Sequence, residues 1–306
     1  MSTKLVVGAF TPSVLLSVSR RTGRLGERDL HVEEVPVASS PAQFRSLLDG
    51  ALDIAFTSPD NVLAYRFSPG NPLGAVADVR IVSTVDRGMG LALYGRPGLD
   101  SPELLRDAVL GVDVATSGFA LAMYALGESL GVGRDDYRLV ALGSTPQRLK
   151  ALLAGECDAT MLNAGNELFA ERAGCVPLAR VTDIFSPYLG TVVCIAGDEH
   201  LAAARLLSQA LRLTAEDICA GRCDEITERE AGAVLGLPAD LAGRYVARLK
   251  NRAEGLITQD GVDMEGLRTI IGLRSRFLPD QVHGVDVLEG ALNQSSGLIA
   301  FRSPVR

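Results

Sequence analysis

A stretch of 19 residues occurs twice in this chain. Residues 39–57 read SSPAQFRSLLDGALDIAFT and residues 144–162 read STPQRLKALLAGECDATML. Pro41 aligns with Pro146, Leu47-Leu48 with Leu152-Leu153, Gly50 with Gly155 and Asp53 with Asp158, all at one offset of 105 residues without a gap. The same offset carries LVVGAF (5–10) onto LGVDVA (110–115), and HVEEVPV (31–37) onto DYRLVAL (136–142). Two α/β lobes of one design are expected, with the functional place between them.

Each copy reads strand, helix, strand, helix, strand. In the first copy Ser40 is expected to cap the second helix, with Pro41 in its first turn and Gln43 completing a capping box. Phe44, Leu47 and Leu48 form the apolar stripe, as Leu149, Leu152 and Leu153 do in the second copy after Thr145-Pro146. Gly50 and Gly155 close the helices, and apolar strands follow at 52–57 and 157–162. Asp53 and Asp158, at equivalent strand entries, are expected to do turn or cap chemistry. Helices alternating with apolar strands predict an α/β fold in which each lobe is a mostly parallel sheet flanked by helices.

The 306 residues, 47% of them hydrophobic, suffice for two such lobes. From residue 198 the pattern turns helical, with segments at 200–220, 225–235, 241–252 and 263–277. This tail is expected to pack on the first lobe and leave it discontinuous, as 1–95 plus 195–306, with 96–194 as the second lobe. The phrase GLIAF near the end is a small strand or a packing segment.

A net charge of −7 disfavours nucleic acid as partner, because phosphate binding wants a basic surface. Five cysteines without metal-ligand spacing and three scattered histidines, His31, His200 and His283, point to neither disulfides nor a metal site. No cofactor is called for. No run of 18 apolar residues is present, so no membrane span is expected. The start MSTKLVVGAF has no leader pattern, so the chain as given is expected in the cytoplasm. If a leader has been removed, the periplasm or cell exterior follows, with an ABC permease as partner.

In open α/β sheets ligands bind where strands end. Ser58-Pro59-Asp60-Asn61 leaves one strand end, and Asn163-Ala164-Gly165-Asn166-Glu167 is its repeat counterpart. Thr116-Ser117-Gly118-Phe119 opens a helix whose first N–H groups suit an anion or carboxylate, though the two hydroxyls serve equally as caps. Tyr188 either closes over a ligand or packs at the hinge.

Four features in this order resemble the type II periplasmic binding proteins, and more narrowly the group that binds nitrate, sulfonates, taurine and thiamine-pyrimidine precursors. They are the opening strand into a Thr/Pro loop, GALDIAFTSPDN (50–61), the Thr-Ser-Gly loop (116–118) and GECDATML (155–162). The resemblance covers residues 5–195. It implies two lobes closing over a small ligand held by Thr11, Ser39, Ser58, Asp60 and Asn61 of lobe one. Lobe two would contribute Thr116, Ser117, Phe119, Asn163 and Asn166, with Tyr188 near the crossing. The function implied is reversible binding of a small organic ligand, an anion among the options. The alternative is a cytoplasmic enzyme on the same fold, a lyase, decarboxylase, hydrolase or cyclising enzyme of cofactor or secondary metabolism. Asp60 and Asp86 are then the candidate acid–base groups, with Cys157, Glu167 and Asp183 behind them. A partner-binding protein with a vestigial cleft ranks third. Ligand identity and oligomeric state are not legible.

Overall fold

The computed structural model describes residues 3–279, 281–282 and 285–300. Two five-stranded sheets form the two lobes. In the first, β2 (Leu30–Pro36), β1 (Thr3–Ala9), β3 (Ile54–Thr57), β10 (Thr191–Ala196) and β4 (Val79–Asp86) lie side by side in that order. The second runs β7 (Arg138–Ala141), β6 (Val109–Val112), β8 (Ala159–Leu162), β5 (Ala92–Gly95), β9 (Val176–Arg180). In each sheet one strand, β10 or β5, runs against both its neighbours; the other strand pairs, β2–β1–β3 and β7–β6–β8, are parallel.

The strand pairing corrects the expected lobe boundaries. β5 pairs with β8 and β9, so the first crossing lies at 87–91 rather than after residue 95. β10 pairs with β3 and β4, so the chain has returned to the first sheet by Thr191, before the expected 194/195 boundary. Strands that look consecutive in sequence need not share a sheet, and only their hydrogen bonds say which one they join.

Helix α1 (Val14–Arg21) follows β1, α2 (Ser40–Leu48) follows β2, and α3 (Pro59–Phe67) follows β3. Their counterparts are α4 (Gly118–Ser129), α5 (Thr145–Ala154) and α6 (Asn166–Arg172). Helix α2 is capped by Ser39, one residue before the expected Ser40, whereas α5 starts at Thr145 as expected, with Ser144 as its cap. Ser39 Oγ accepts from the Ala42 N–H at 3.4 Å, and Gln147 Oε1 accepts from the Ser144 N–H at 2.8 Å. One residue is a rotation of about 100° on a helix. The buried stripe lies about one residue earlier than expected, at Gln43, Phe44 and Leu47, and at Arg148, Ala151 and Leu152. Leu48 and Leu153 turn outward, at 42% and 48% exposure. Gln43 is thus no capping-box partner. It is buried and its Nε2 donates to the Gly8 and Phe56 carbonyls, each at 3.0 Å.

The two aspartates at the strand entries do the same work. The Asp53 N–H donates to the Val6 carbonyl at 3.0 Å while Asp53 Oδ2 accepts from the Val6 N–H at 2.7 Å. Asp158 makes the same reciprocal pair with Val109, at 2.7 and 2.8 Å.

The tail forms α7 (Leu201–Cys219), α8 (Asp224–Leu235), α9 (Ala239–Lys250) and α10 (Met264–Phe277). It does more than cover lobe one. Leu207, Ala210 and Leu211 of α7 join the core of β1 and β10. From α9, however, Arg244 pairs with Glu171, and Arg248 Nε approaches Glu167 of α6 at 3.3 Å. Helix α10 lies between the lobes: Arg274 pairs with Asp60 of α3, and Arg276 with Glu128 of α4. Its Leu267, Ile270 and Leu273 share one apolar cluster with Val62 and Leu63 on one side and Leu121 and Met123 on the other. Near the end, residues 298–300 bond to Ile81 on the outer side of β4, Ile81 N–H to the Leu298 carbonyl at 2.8 Å and Ala300 N–H to the Ile81 carbonyl at 2.9 Å. His283 and residues 301–306 lie outside the described residues. No described helix is long and apolar enough to cross a membrane.

Candidate functional site

A cavity of about 140 Å³ lies between the two sheets. Lobe one supplies the β1–α1 loop from Ala9 to Leu15, Phe56 to Ser58 and Asn61 after β3, and Val85 and Asp86 at the end of β4. Lobe two supplies Asp113 after β6, Ser117 to Phe119 at the start of α4, Ser144, Thr145 and Arg148 of α5, and Asn163 and Ala164 after β8. Gly190 and Thr191 of the second crossing, and Tyr245, Leu249 and Leu256 from the tail, complete the wall. Strand ends from both sheets converge here because every βα loop leaves a parallel sheet on the same edge.

The expected residues divide between this cavity and its surroundings. Thr11, Ser58, Asn61, Ser117, Phe119, Asn163 and Asp86 line it. Thr116 lines a second cavity of about 250 Å³, which shares Asn61 and Ser117 with the first and adds Ser40, Tyr65 and Arg274. The remaining expected residues are placed elsewhere. Ser39 caps α2. Asp60 is buried under Gly118 and held by Arg274 Nη1, 3.0 and 3.1 Å from its two oxygens. Asn166 donates to the Asn163 carbonyl at 3.0 Å. Tyr188 is fully buried beside Gly88, so it packs at the hinge.

The lobes touch at Gly118. A Cβ there would lie 2.6 Å from Asp60 Cβ and 3.0 Å from Ser58 Oγ, so only glycine lets α4 approach α3 this closely. The lobes also meet at the pair of crossings. Asp86 Oδ1 accepts from the Gly88 N–H at 2.8 Å, and its carbonyl accepts from the Gly190 N–H at 3.0 Å. Burial pushes the Asp86 carboxyl up to about 6, against hydrogen bonds from Thr191 and Gly88 that lower it. Burial likewise raises Asp60, and the Arg274 charge pulls it part of the way back.

The groups with acid–base potential behind Asp86 are held structurally. Glu167 is buried, accepts from the Gly165 N–H at 2.7 Å, and is pushed up to about 7 by desolvation despite Arg248. Cys157 is buried in the core of lobe two, its thiol raised to about 11. Asp183 is exposed and accepts from the Arg180 N–H at 2.8 Å. His31 is exposed on β2, and His200 Nε2 lies 3.3 Å from Asp53.

Two charged residues on the cavity were not anticipated, Asp113 and Arg148. Asp113 stands just past the end of β6, where the strand-end rule could have found it. Arg148 is only 2% exposed, although it stands one residue before the stripe Leu149, Leu152 and Leu153 that the sequence marks as buried. Its Nη1 donates to the Gly143 carbonyl at 2.6 Å, and its Nη2 to Thr145 Oγ1 at 3.0 Å and the Met161 carbonyl at 3.2 Å. Desolvation lowers it to about 10, with Asp113 opposing.

A scan against protein-family models finds no match, and a search among curated proteins finds none. Solved structures do match over nearly the whole chain. The alkanesulfonate-binding protein SsuA from Xanthomonas axonopodis pv. citri, bound to MOPS, superposes with a TM-score of 0.73 at 15% identity, covering 94% of this chain and 98% of that one. The periplasmic nitrate-binding protein NrtA from Synechocystis PCC 6803 gives 0.73 at 13% identity, covering 100% and 92%. The periplasmic aliphatic sulphonate binding protein SsuA from Escherichia coli gives 0.68 at 15%, covering 100% and 94%. This is the two-lobed periplasmic-binding-protein fold. In that fold the cavity described above occupies the cleft between the lobes. At these identities the likeness is one of fold, and the side chains in the cleft are this chain's own.

Proposed function

We propose that this protein reversibly binds a small organic ligand in the cleft between its lobes. One observation carries the reading: a largely buried cavity whose wall is built from the strand ends of both sheets. Such a wall holds a ligand only when the lobes are together, which couples binding to hinge closure. The crossings at 87–91 and 181–190 are where the hinge would bend. The similar structures, which are solute-binding proteins by name, support the same reading. Ser58, Asn61, Ser117 and Asn163 are the polar contacts proposed for the ligand, with Phe56 and Phe119 as apolar wall.

The enzyme reading rests on Asp86, which lines the cavity and whose carboxyl burial pushes up to about 6. It is weaker because that carboxyl already accepts hydrogen bonds at the hinge. Native mass spectrometry of the full chain tests the proposal. A retained small molecule, released unchanged on unfolding and lost from Asn163→Leu protein, is the expected result. Release of a chemically altered molecule after incubation with the original would replace binding with catalysis.

A further inference from the structure

Among the positions at which the two halves differ, two equivalent pairs carry a statement about the ligand. Val7 pairs with Ile54 in lobe one, and Leu110 with Ala159 in lobe two; Gly8 pairs with Val35, and Gly111 with Val140. Ile54 and Ala159 are 105 residues apart, as are Val35 and Val140, so Val7 matches Leu110 and Gly8 matches Gly111 at an offset of 103. The neighbours of these glycines agree. A Cβ on Gly8 would meet Leu52 and Val37; one on Gly111 would meet Cys157 and Leu142, their repeat equivalents. Two residues further on, Phe10 therefore corresponds to Asp113.

On the helix that faces these loops, Gln43 corresponds to Arg148. Gln43 donates to the Phe56 carbonyl, and Arg148 donates to the equivalent Met161 carbonyl. Lobe one thus has Phe and Gln where lobe two has Asp and Arg. Both members of the charged pair line the cavity. Among the described residues, Arg148 Nε and Asp113 Oδ1 are each buried without a hydrogen-bond partner, so they do not bond to each other. One is a donor and the other an acceptor. A buried polar atom left unpaired is costly, so each is left wanting a partner although Ser40 already bonds the Asp113 carboxyl, and the side chains that carry the two atoms line the space a ligand would fill.

We propose that Asp113 and Arg148 form a donor–acceptor clamp for a ligand that carries an acceptor and an N–H donor close together, as a lactam, a carboxamide or an amino-substituted heterocycle does. The inference rests on the cleft-binding reading and narrows it. The ligand's carbonyl or ring nitrogen accepts from Arg148 Nε, and its N–H donates to Asp113 Oδ1. A bare oxyanion offers acceptors only. It satisfies Arg148 but faces the Asp113 carboxylate with like charge, so the clamp selects against it. Asp86, the third charged residue on the wall, adds to that bias.

The test titrates the full chain calorimetrically with 2-pyrrolidone, an N–H beside a carbonyl, and with ethanesulfonate, acceptors alone. The lactam is expected to bind about tenfold more tightly or better. Arg148→Gln, which copies the residue lobe one already carries at this place, is expected to fold and to lose most of that preference. Asp113→Asn is expected to strengthen ethanesulfonate relative to the lactam. Ethanesulfonate binding as tightly as 2-pyrrolidone to the unmodified protein overturns the clamp and leaves cleft binding standing. No lactam binding also overturns the clamp. A preference that survives both substitutions does so too. Cleft binding itself is judged separately, by the retained molecule in native mass spectrometry.

Discussion

The two lobes share a scaffold and differ in what they present to the cleft. Where they match, the residues hold strands and helices together. Asp53 and Asp158 clasp the first strand of their repeat, and Gly8 and Gly111 admit side chains from equivalent positions. They differ at the strand ends and on the facing helix turn, where Phe10 and Gln43 of lobe one become Asp113 and Arg148 of lobe two. An internal repeat therefore separates structural residues from specialised ones without reference to any other protein. Positions that stay alike across the halves serve packing that both need. Positions that diverge together toward a shared cavity are where a ligand's chemistry would be read.

Three measurements can break or sharpen this comparison. The largest effect is expected on α10, which ties to both lobes with different strength. Arg274→Met leaves Asp60 buried without its cation and should cost about 3–5 kcal/mol in urea unfolding. Arg276→Met removes an exposed pair with Glu128 on the other lobe and should cost less than about 1 kcal/mol. Equal costs would mean that α10 belongs to neither lobe preferentially. Next come Gly8→Ala and Gly111→Ala. The new Cβ would lie 2.5 Å from Leu52 Cδ1 in one case and 2.9 Å from Leu142 Cδ1 in the other. Each should lose about 1–3 kcal/mol. A large loss at one and none at the other would undo the register that pairs Phe10 with Asp113.

The smallest effect concerns pH. Burial pushes Glu34 of lobe one and Glu167 of lobe two each up to about 7 from a glutamate's usual 4.5. Each carboxyl then binds its proton more tightly in the folded chain than in the unfolded one. Its contribution to stability is complete below about 4.5 and is lost as pH rises through about 7. Glu34→Gln and Glu167→Gln should each flatten the fall in Tm across that window, by an amount equivalent to about 1–2 kcal/mol. A variant whose Tm falls as steeply as the parent's would show that its carboxylate is relieved by water or by its neighbours.

The repeat told the fold early because Pro, Gly and Asp punctuation is local chemistry. Helix starts, helix ends and strand entries follow from a few residues each, and all four tail helices were legible to within two residues. Thr11, Ser58, Asn61, Ser117, Phe119 and Asn163 were found on the cavity for a related reason, since strand ends of a parallel sheet share one edge. Ser39, Asp60, Asn166 and Tyr188 sit just as close in sequence and do other work. Which of two adjacent residues faces the cleft depends on a cap one residue early or a partner more than 200 residues away, as Arg274 is from Asp60. No local pattern contains that partner.

The first-strand register shows the same division. At an offset of 105 or of 103 the alternation of faces is preserved, because side chains along a strand repeat every two residues. The sequence by itself therefore established two halves, their elements and which face of each strand is apolar. It could not distinguish a match from a two-residue slip, and so set Asp113 against Gly8. Only the pairing of β1 and β6 with their neighbours fixed the register that sets Asp113 against Phe10. The choice is made by hydrogen bonds between strands distant in the chain, where one residue's own chemistry has no say.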